Sequence, residues 1–236
     1  MSLVLIHGWG QHSGVWRDLD LPDARCFDLP ERFELERIVD EFAARASQQC
    51  TVIGWSLGAQ LALRWAQKYP QQVRKLVLVS ATPCFGQRAD WPHGSPDAVQ
   101  QAFATQVAAS PERALQRFAD LMAEGESDVR TARKRLRASR AEQALPPIEA
   151  LLDGLRFLAE TDMRAGLQAA PPQQPALVIH GEGDTITPVA AGRWLAATLP
   201  DTQDLILPHC GHAPLVTHVE TMRDAIQKFL NARFPL

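Results

Sequence analysis

No apolar run in the 236-residue sequence approaches the ~20 residues needed to cross a bilayer, so a membrane-spanning helix is excluded. Cysteines are few and scattered. Cys26, Cys50, Cys84 and Cys210 form no Cys-x-x-Cys pair, and no charged stretch leads into an apolar signal core at the N-terminus. A reduced, cytoplasmic protein is expected. A basic surplus is also missing: the formal charge is −3 and the pI about 6.2, which argues against a general nucleic-acid binder. There is no Gly-x-Gly-x-x-Gly or Walker-type loop, so no nucleotide cofactor is implied. Internal repeats and low-complexity segments are absent too.

What is present suits one globular domain carrying an inserted subdomain, with 46% apolar and 22% charged residues. Apolar runs of strand length at 2–6, 24–29, 51–55, 73–80, 176–180 and 204–207 alternate with helical patterns at 34–48, 57–69, 189–199 and 213–231. Between 83 and 168 the alternation stops. Only helical patterns remain there, at 97–108, 111–123, 128–143 and 148–160, separated by Ser-Pro and Pro-Pro breaks. The expected fold is α/β, a doubly wound, mostly parallel sheet of about six strands. Residues 1–82 and 169–236 form its core, and 83–168 form a helical lid of four helices inserted after the fourth strand.

In such sheets ligands bind beyond the carboxyl ends of the strands, and three of those ends carry matching chemistry. A β-branched run enters Gly54-Trp55-Ser56-Leu57-Gly58 and leaves it as a helix, which points to Ser56 as a nucleophile on a strained turn. Gly181-Glu182-Gly183-Asp184 follows the 176–180 strand, and Gly211-His212-Ala213-Pro214 follows the last one. A serine hydroxyl is a poor nucleophile near neutral pH. His212 is therefore expected to take its proton, and Asp184 to fix the imidazole's tautomer. Taken singly, Asp184 could make only a turn before Pro188 and His212 could only cap a helix. Three suitable residues in the order Ser, Asp, His favour the triad. Glu182 and His209 are the nearest competitors. Backbone amides of Trp9 and Leu57 are the expected oxyanion donors, and His7 is read as a loop-ordering residue. His209, Cys210 and His212 offer three potential ligands cramped into four adjacent positions without a distant partner motif, so no metal site is expected there.

Through His7-Gly8-Trp9-Gly10, Gly54-Trp55-Ser56-Leu57-Gly58, Gly181-Glu182-Gly183-Asp184 and Gly211-His212-Ala213-Pro214, the whole chain resembles the α/β-hydrolase superfamily. The triad is specific only at that level. Trp9 and Trp55 together, His212-Ala213-Pro214 and the four-helix insert make it more closely similar to the pimeloyl-[acyl-carrier protein] methyl ester esterase family of biotin synthesis. The resemblance implies a serine carboxylesterase that releases methanol from a pimeloyl methyl ester held on acyl carrier protein; no cofactor and a monomeric state are expected. It implies substrate contacts at Trp9, Ser56, Leu57 and His212, and an acyl channel at Phe118, Ala119, Asp120, Leu121 and Met122.

Carrier docking is implied for Arg113, Arg117, Arg130 and Lys134. These sit in a lid where six bases and no acid occupy 130–140, a local positive patch on a negative protein. Two departures from the family pattern stand out: the hairpin that precedes the first strand is missing, and Ala59 replaces a frequent third glycine. Three other functions reuse the same residues or fold: a general short-chain carboxylesterase, a thioesterase or carbon–carbon hydrolase, and a catalytically silent binding protein.

Overall fold

Consecutive strand residues send their side chains to opposite faces, and here both sets are apolar. Val4, Ile6, Val52, Leu76, Leu78 and Val178 join one buried cluster, while Leu5, Ile53, Val77, Val79, Leu177 and Ile179 join another. Such strands can only be central to a sheet covered on both sides. The computed structural model, which describes residues 2–141 and 144–232, shows that sheet. β1 (Ser2–Ile6), β2 (Ala24–Phe27), β3 (Cys50–Trp55), β4 (Val73–Val79), β5 (Ala176–Gly181) and β6 (Thr202–Leu207) lie in the order β2-β1-β3-β4-β5-β6. Every pairing is parallel.

β1 pairs with both β2 and β3, so the winding of the chain reverses there. A crevice therefore opens beyond Ile6 and Trp55. α1 (Leu35–Arg45) and α2 (Leu57–Lys68) cover one face, α1 through Ile38, Val39 and Phe42 at helical spacing. The segment between β4 and β5 carries α3 (Asp97–Ala109), α4 (Pro111–Met122), α5 (Val129–Ala141), α6 (Ile148–Glu160) and α7 (Arg164–Ala169). α8 (Val189–Thr198) returns to the first face. A 3-10 segment, Ser13–Leu19, covers the other face with α9 (Pro214–Thr217) and α10 (Val219–Asn231).

Several expectations shift. The last helix is two helices, because His218 leaves the helical region at φ −122°, ψ 43°. A 3-10 turn stands between β1 and β2, and β6 starts two residues earlier than expected. The end of the helix expected over 128–143 falls on 142–143, outside the described residues. The short helix α7, without a clear sequence pattern, packs on the core: Gln67 of α2 donates to the Gly166 and Ala170 carbonyls, and Leu167 is fully buried. Among the described residues, no helix is long and apolar enough to cross a membrane.

Candidate active site

β3 ends at Trp55 and α2 begins at Leu57, so Ser56 alone turns the chain. Its φ of 56° lies where side chains with a β-carbon rarely sit. The turn is held from both sides: the Ser56 amide donates to the Val79 carbonyl at 2.9 Å, and the Ala59 amide to the Ser56 carbonyl at 2.9 Å. The flanking glycines are required by space. A β-carbon on Gly58 would run into the Ile6 and His7 carbonyls, and one on Gly54 into the backbone of Gly58 and Ala59.

The three expected side chains meet. His212 Nε2 lies 3.1 Å from Ser56 Oγ, and His212 Nδ1 lies 2.8 Å from Asp184 Oδ2. Asp184 and His212 are buried, while Ser56 is partly open to the cavity. Burial pushes the Asp184 carboxyl up, but His212 and His180 outweigh it through charge and hydrogen bonding and hold it well below the usual carboxylate range. The backbone amides of Ile186 and Thr187 donate to Oδ1 at 2.9 Å each, and the Thr187 hydroxyl donates to Oδ2 at 2.8 Å. The competitors stand aside: Glu182 and His209 are both exposed.

Thr187 and His180 were not singled out in the sequence. Thr187 Oγ1 also lies 3.2 Å from His212 Nδ1, so it touches both Asp184 and His212. The Asp-x-x-Thr spacing ahead of Pro188 is a turn signal that marks it. His180 Nε2 lies 2.6 Å from the Thr187 carbonyl and 3.4 Å from Asp184. Only the sheet register puts it there.

Of the two expected oxyanion donors, the Leu57 amide opens α2, where the helix dipole favours negative charge. Trp9 follows Gly8, whose added β-carbon would sit 3.2 Å from Ser56 Cβ, so the loop after β1 lies against Ser56. The Trp9 side chain is fixed by an indole N–H donated to the Leu151 carbonyl at 2.9 Å and by edge contacts with Phe103 and Phe118. His7 orders its loop: Nε2 accepts from the Leu29 amide at 3.3 Å and faces Asp28 at 3.4 Å.

Above Ser56 lies a mostly apolar cavity of about 830 Å³ under α3, α4 and α6. Phe118 and Leu121 line it, with Arg117 beside them. Ala119, Asp120 and Met122 do not. Five consecutive helical residues cannot face one channel, since each advances about 100° around the axis. Ala119 and Met122 are buried in the core against the sheet, and Asp120 accepts a two-pronged bond from Arg137. Met122 contributes differently, its carbonyl accepting from the His212 amide at 3.0 Å.

A family model described as the alpha/beta hydrolase fold matches residues 33–219. The chain belongs to the α/β-hydrolase family. Among curated relatives, this hydrolase is 37% identical to a pimeloyl-[acyl-carrier protein] methyl ester esterase of Nitrosomonas europaea, over 93% of this chain and 91% of that protein. It is 38% identical to one from Aromatoleum aromaticum, over 93% and 94%. Among solved structures, an esterase from Exiguobacterium antarcticum superposes with a TM-score of 0.84 at 16% identity, covering 98% of this chain and 92% of that one.

The basic residues of this hydrolase are partly redistributed. Arg113, Arg117, Arg130 and Lys134 are exposed. Residues 113, 117 and 120 share one stripe of α4, and 130, 134 and 137 one stripe of α5. The Arg137–Asp120 pair joins the two stripes. Arg140 does not belong to this face: it is buried, and its guanidinium donates to the Ala144 carbonyl.

Proposed function

We propose that this hydrolase is a serine carboxylesterase that cleaves the methyl ester of pimeloyl-[acyl-carrier protein], releasing methanol and leaving the pimeloyl thioester on its carrier for biotin synthesis in the cytoplasm. Ser56 Oγ attacks the ester carbonyl as His212 Nε2 takes its proton. The Leu57 and Trp9 amides hold the oxyanion, a donor pair of which each member is worth about 3 kcal/mol in such sites. Collapse expels methoxide, which leaves as methanol with the proton from His212. Water, deprotonated by His212, then attacks the acyl-enzyme and regenerates Ser56.

The observation that carries this reading is the position of Ser56 at the floor of an apolar cavity with Arg117 at its wall and the joined basic stripes of α4 and α5 outside. An aliphatic chain fits the walls, and an acidic carrier fits the rim. Relatives bearing the name of this activity align over nearly the whole chain. The test is methanol release from pimeloyl-carrier methyl ester compared with hydrolysis of p-nitrophenyl acetate. A higher kcat/KM on the carrier-bound ester is expected. Preference for the small ester would instead make the protein a general short-chain carboxylesterase.

A further inference from the structure

One cluster of donor side chains touches neither the substrate nor the reacting atoms of that chemistry. Of the neighbours His209, Cys210 and His212, the fold turns His209 outward at φ 52° and gives His212 to catalysis. Cys210 instead meets Glu126, from the turn between α4 and α5, and His218, ahead of α10. One ligand atom from each of the three lies within 4.8 Å of the others. We propose that Glu126, Cys210 and His218 bind a thiophilic divalent cation of the zinc class, and that its binding inhibits the enzyme.

The donor set selects the ion. Sulfur, nitrogen and one carboxylate oxygen, with a fourth position left for water, suit zinc, whereas magnesium and calcium take oxygen ligands. Zinc bonds of ~2.0–2.3 Å set tetrahedral donors about 3.5 Å apart, so closing around the ion requires movements of roughly 1 Å.

The two carboxylate oxygens of Glu126 are differently used. Oε1 accepts from the Gly211 amide at 2.9 Å and from the Thr217 hydroxyl at 2.8 Å, while Oε2 is turned to His218 at 3.7 Å. The first oxygen is anchored and the second faces the cluster. Such anchoring orients a metal ligand. Burial, then the Glu126 charge, pushes the Cys210 thiol up. A dication between the two groups reverses that repulsion and takes the sulfur as thiolate, releasing its proton to solvent.

Access and consequence also follow from position. Glu126 and Cys210 are buried, but His218 is partly exposed and lines a surface groove of about 890 Å³ beside the 3-10 segment, α5 and α10. Cys210 precedes His212 by two residues, and Gly211 between them hangs on Glu126. Contraction around an ion therefore drags the His212 loop, whose imidazole needs its 3.1 Å contact with Ser56.

The experiment is titration of the full-length, metal-free enzyme. With Co²⁺, one equivalent and a thiolate-to-metal absorption band are expected, the band being lost in Cys210→Ser. With Zn²⁺, p-nitrophenyl acetate hydrolysis falls and is restored by chelator. Cys210→Ser and the more exposed His218→Asn keep their metal-free activity but need about tenfold or more zinc for half inhibition. Equal zinc sensitivity in wild type and both variants, which places the ion at the triad itself, overturns the proposal. So does a cobalt complex without the thiolate band. If Cys210→Ser fails to fold, His218→Asn decides alone. The cobalt readout does not depend on the esterase reading.

Discussion

The His212 amide donates to the Met122 carbonyl at 3.0 Å, so the proposed base is hydrogen-bonded to the helical cap. The neighbouring contacts repeat the pattern. The Gly211 amide donates to Glu126, the Ser127 amide donates to the His209 carbonyl, and Gly125 and Gly183 meet backbone to backbone. The corner between α4 and α5 is thus tied to the His212 loop rather than hung free as a lid.

Glu126→Leu removes the acceptor from the Gly211 amide and leaves it unpaired in a buried place. A cost of about 1–3 kcal/mol is expected, seen as a lower Tm. Because the loop carries the proposed base, His212, kcat on any ester should fall about tenfold or more while KM changes little. Glu126→Gln, which keeps an acceptor oxygen, recovers most of the kcat. Steady-state kinetics on p-nitrophenyl acetate separate the two variants, and equal kcat values would exclude the loop-holding role.

Thr187→Val withdraws the hydroxyl donor from Asp184 Oδ2 and from the neighbourhood of His212 Nδ1. A kcat reduced by about tenfold is expected, corresponding to one lost hydrogen bond to a charged group. Thr187→Ser should restore it. An unchanged kcat in the valine variant would show that the two backbone amides suffice to position the acid.

Asp184 links the site to acid stability. Its carboxyl lies below its ordinary value of 3.8 in the fold, so the folded state favours the ionised form. The resulting stabilisation is fully present above the unfolded value and is lost as pH falls through the lower folded value. Wild-type stability should therefore drop more steeply below about pH 4 than that of Asp184→Asn. Denaturant unfolding across that range checks the sign, and parallel curves would contradict it. The same variant should lose roughly 10⁴-fold in kcat by mispositioning His212.

Charge reversal at Arg113 and Arg130 should leave p-nitrophenyl acetate hydrolysis at wild-type rates, since both side chains are exposed and absent from the cavity walls. On the carrier-bound ester, kcat/KM should fall and lose its salt dependence, as expected for an electrostatically steered encounter. Unaltered kcat/KM on that substrate removes the docking role from these residues.

Leu121→Trp should shorten the cavity, because Leu121 faces it together with Phe118. Hydrolysis of p-nitrophenyl hexanoate should drop relative to the acetate. At Ala119, one residue from Phe118 but packed in the core, Ala119→Trp should lower Tm instead, through overpacking costing about 1–3 kcal/mol or more. The contrast tests which stripe of α4 meets substrate.

By itself the sequence determined the sheet, its helical insert and the order Ser56, Asp184, His212. These features are written locally. Apolar runs on both faces demand a covered parallel sheet, parallel strands bring their carboxyl ends to one edge, and glycines mark where backbones pass at Gly54 and Gly58. Tertiary structure alone decided which face of α4 lines the cavity, because a helix's rotation about its axis is set by what it packs against. It also decided that Glu126 and the Met122 carbonyl hold the His212 loop, that His180 stands beside Asp184, and that Arg140 leaves the basic face for the interior. Those pairings join residues far apart in the chain, and no local propensity or spacing encodes a contact that exists only once the cap has docked on the sheet.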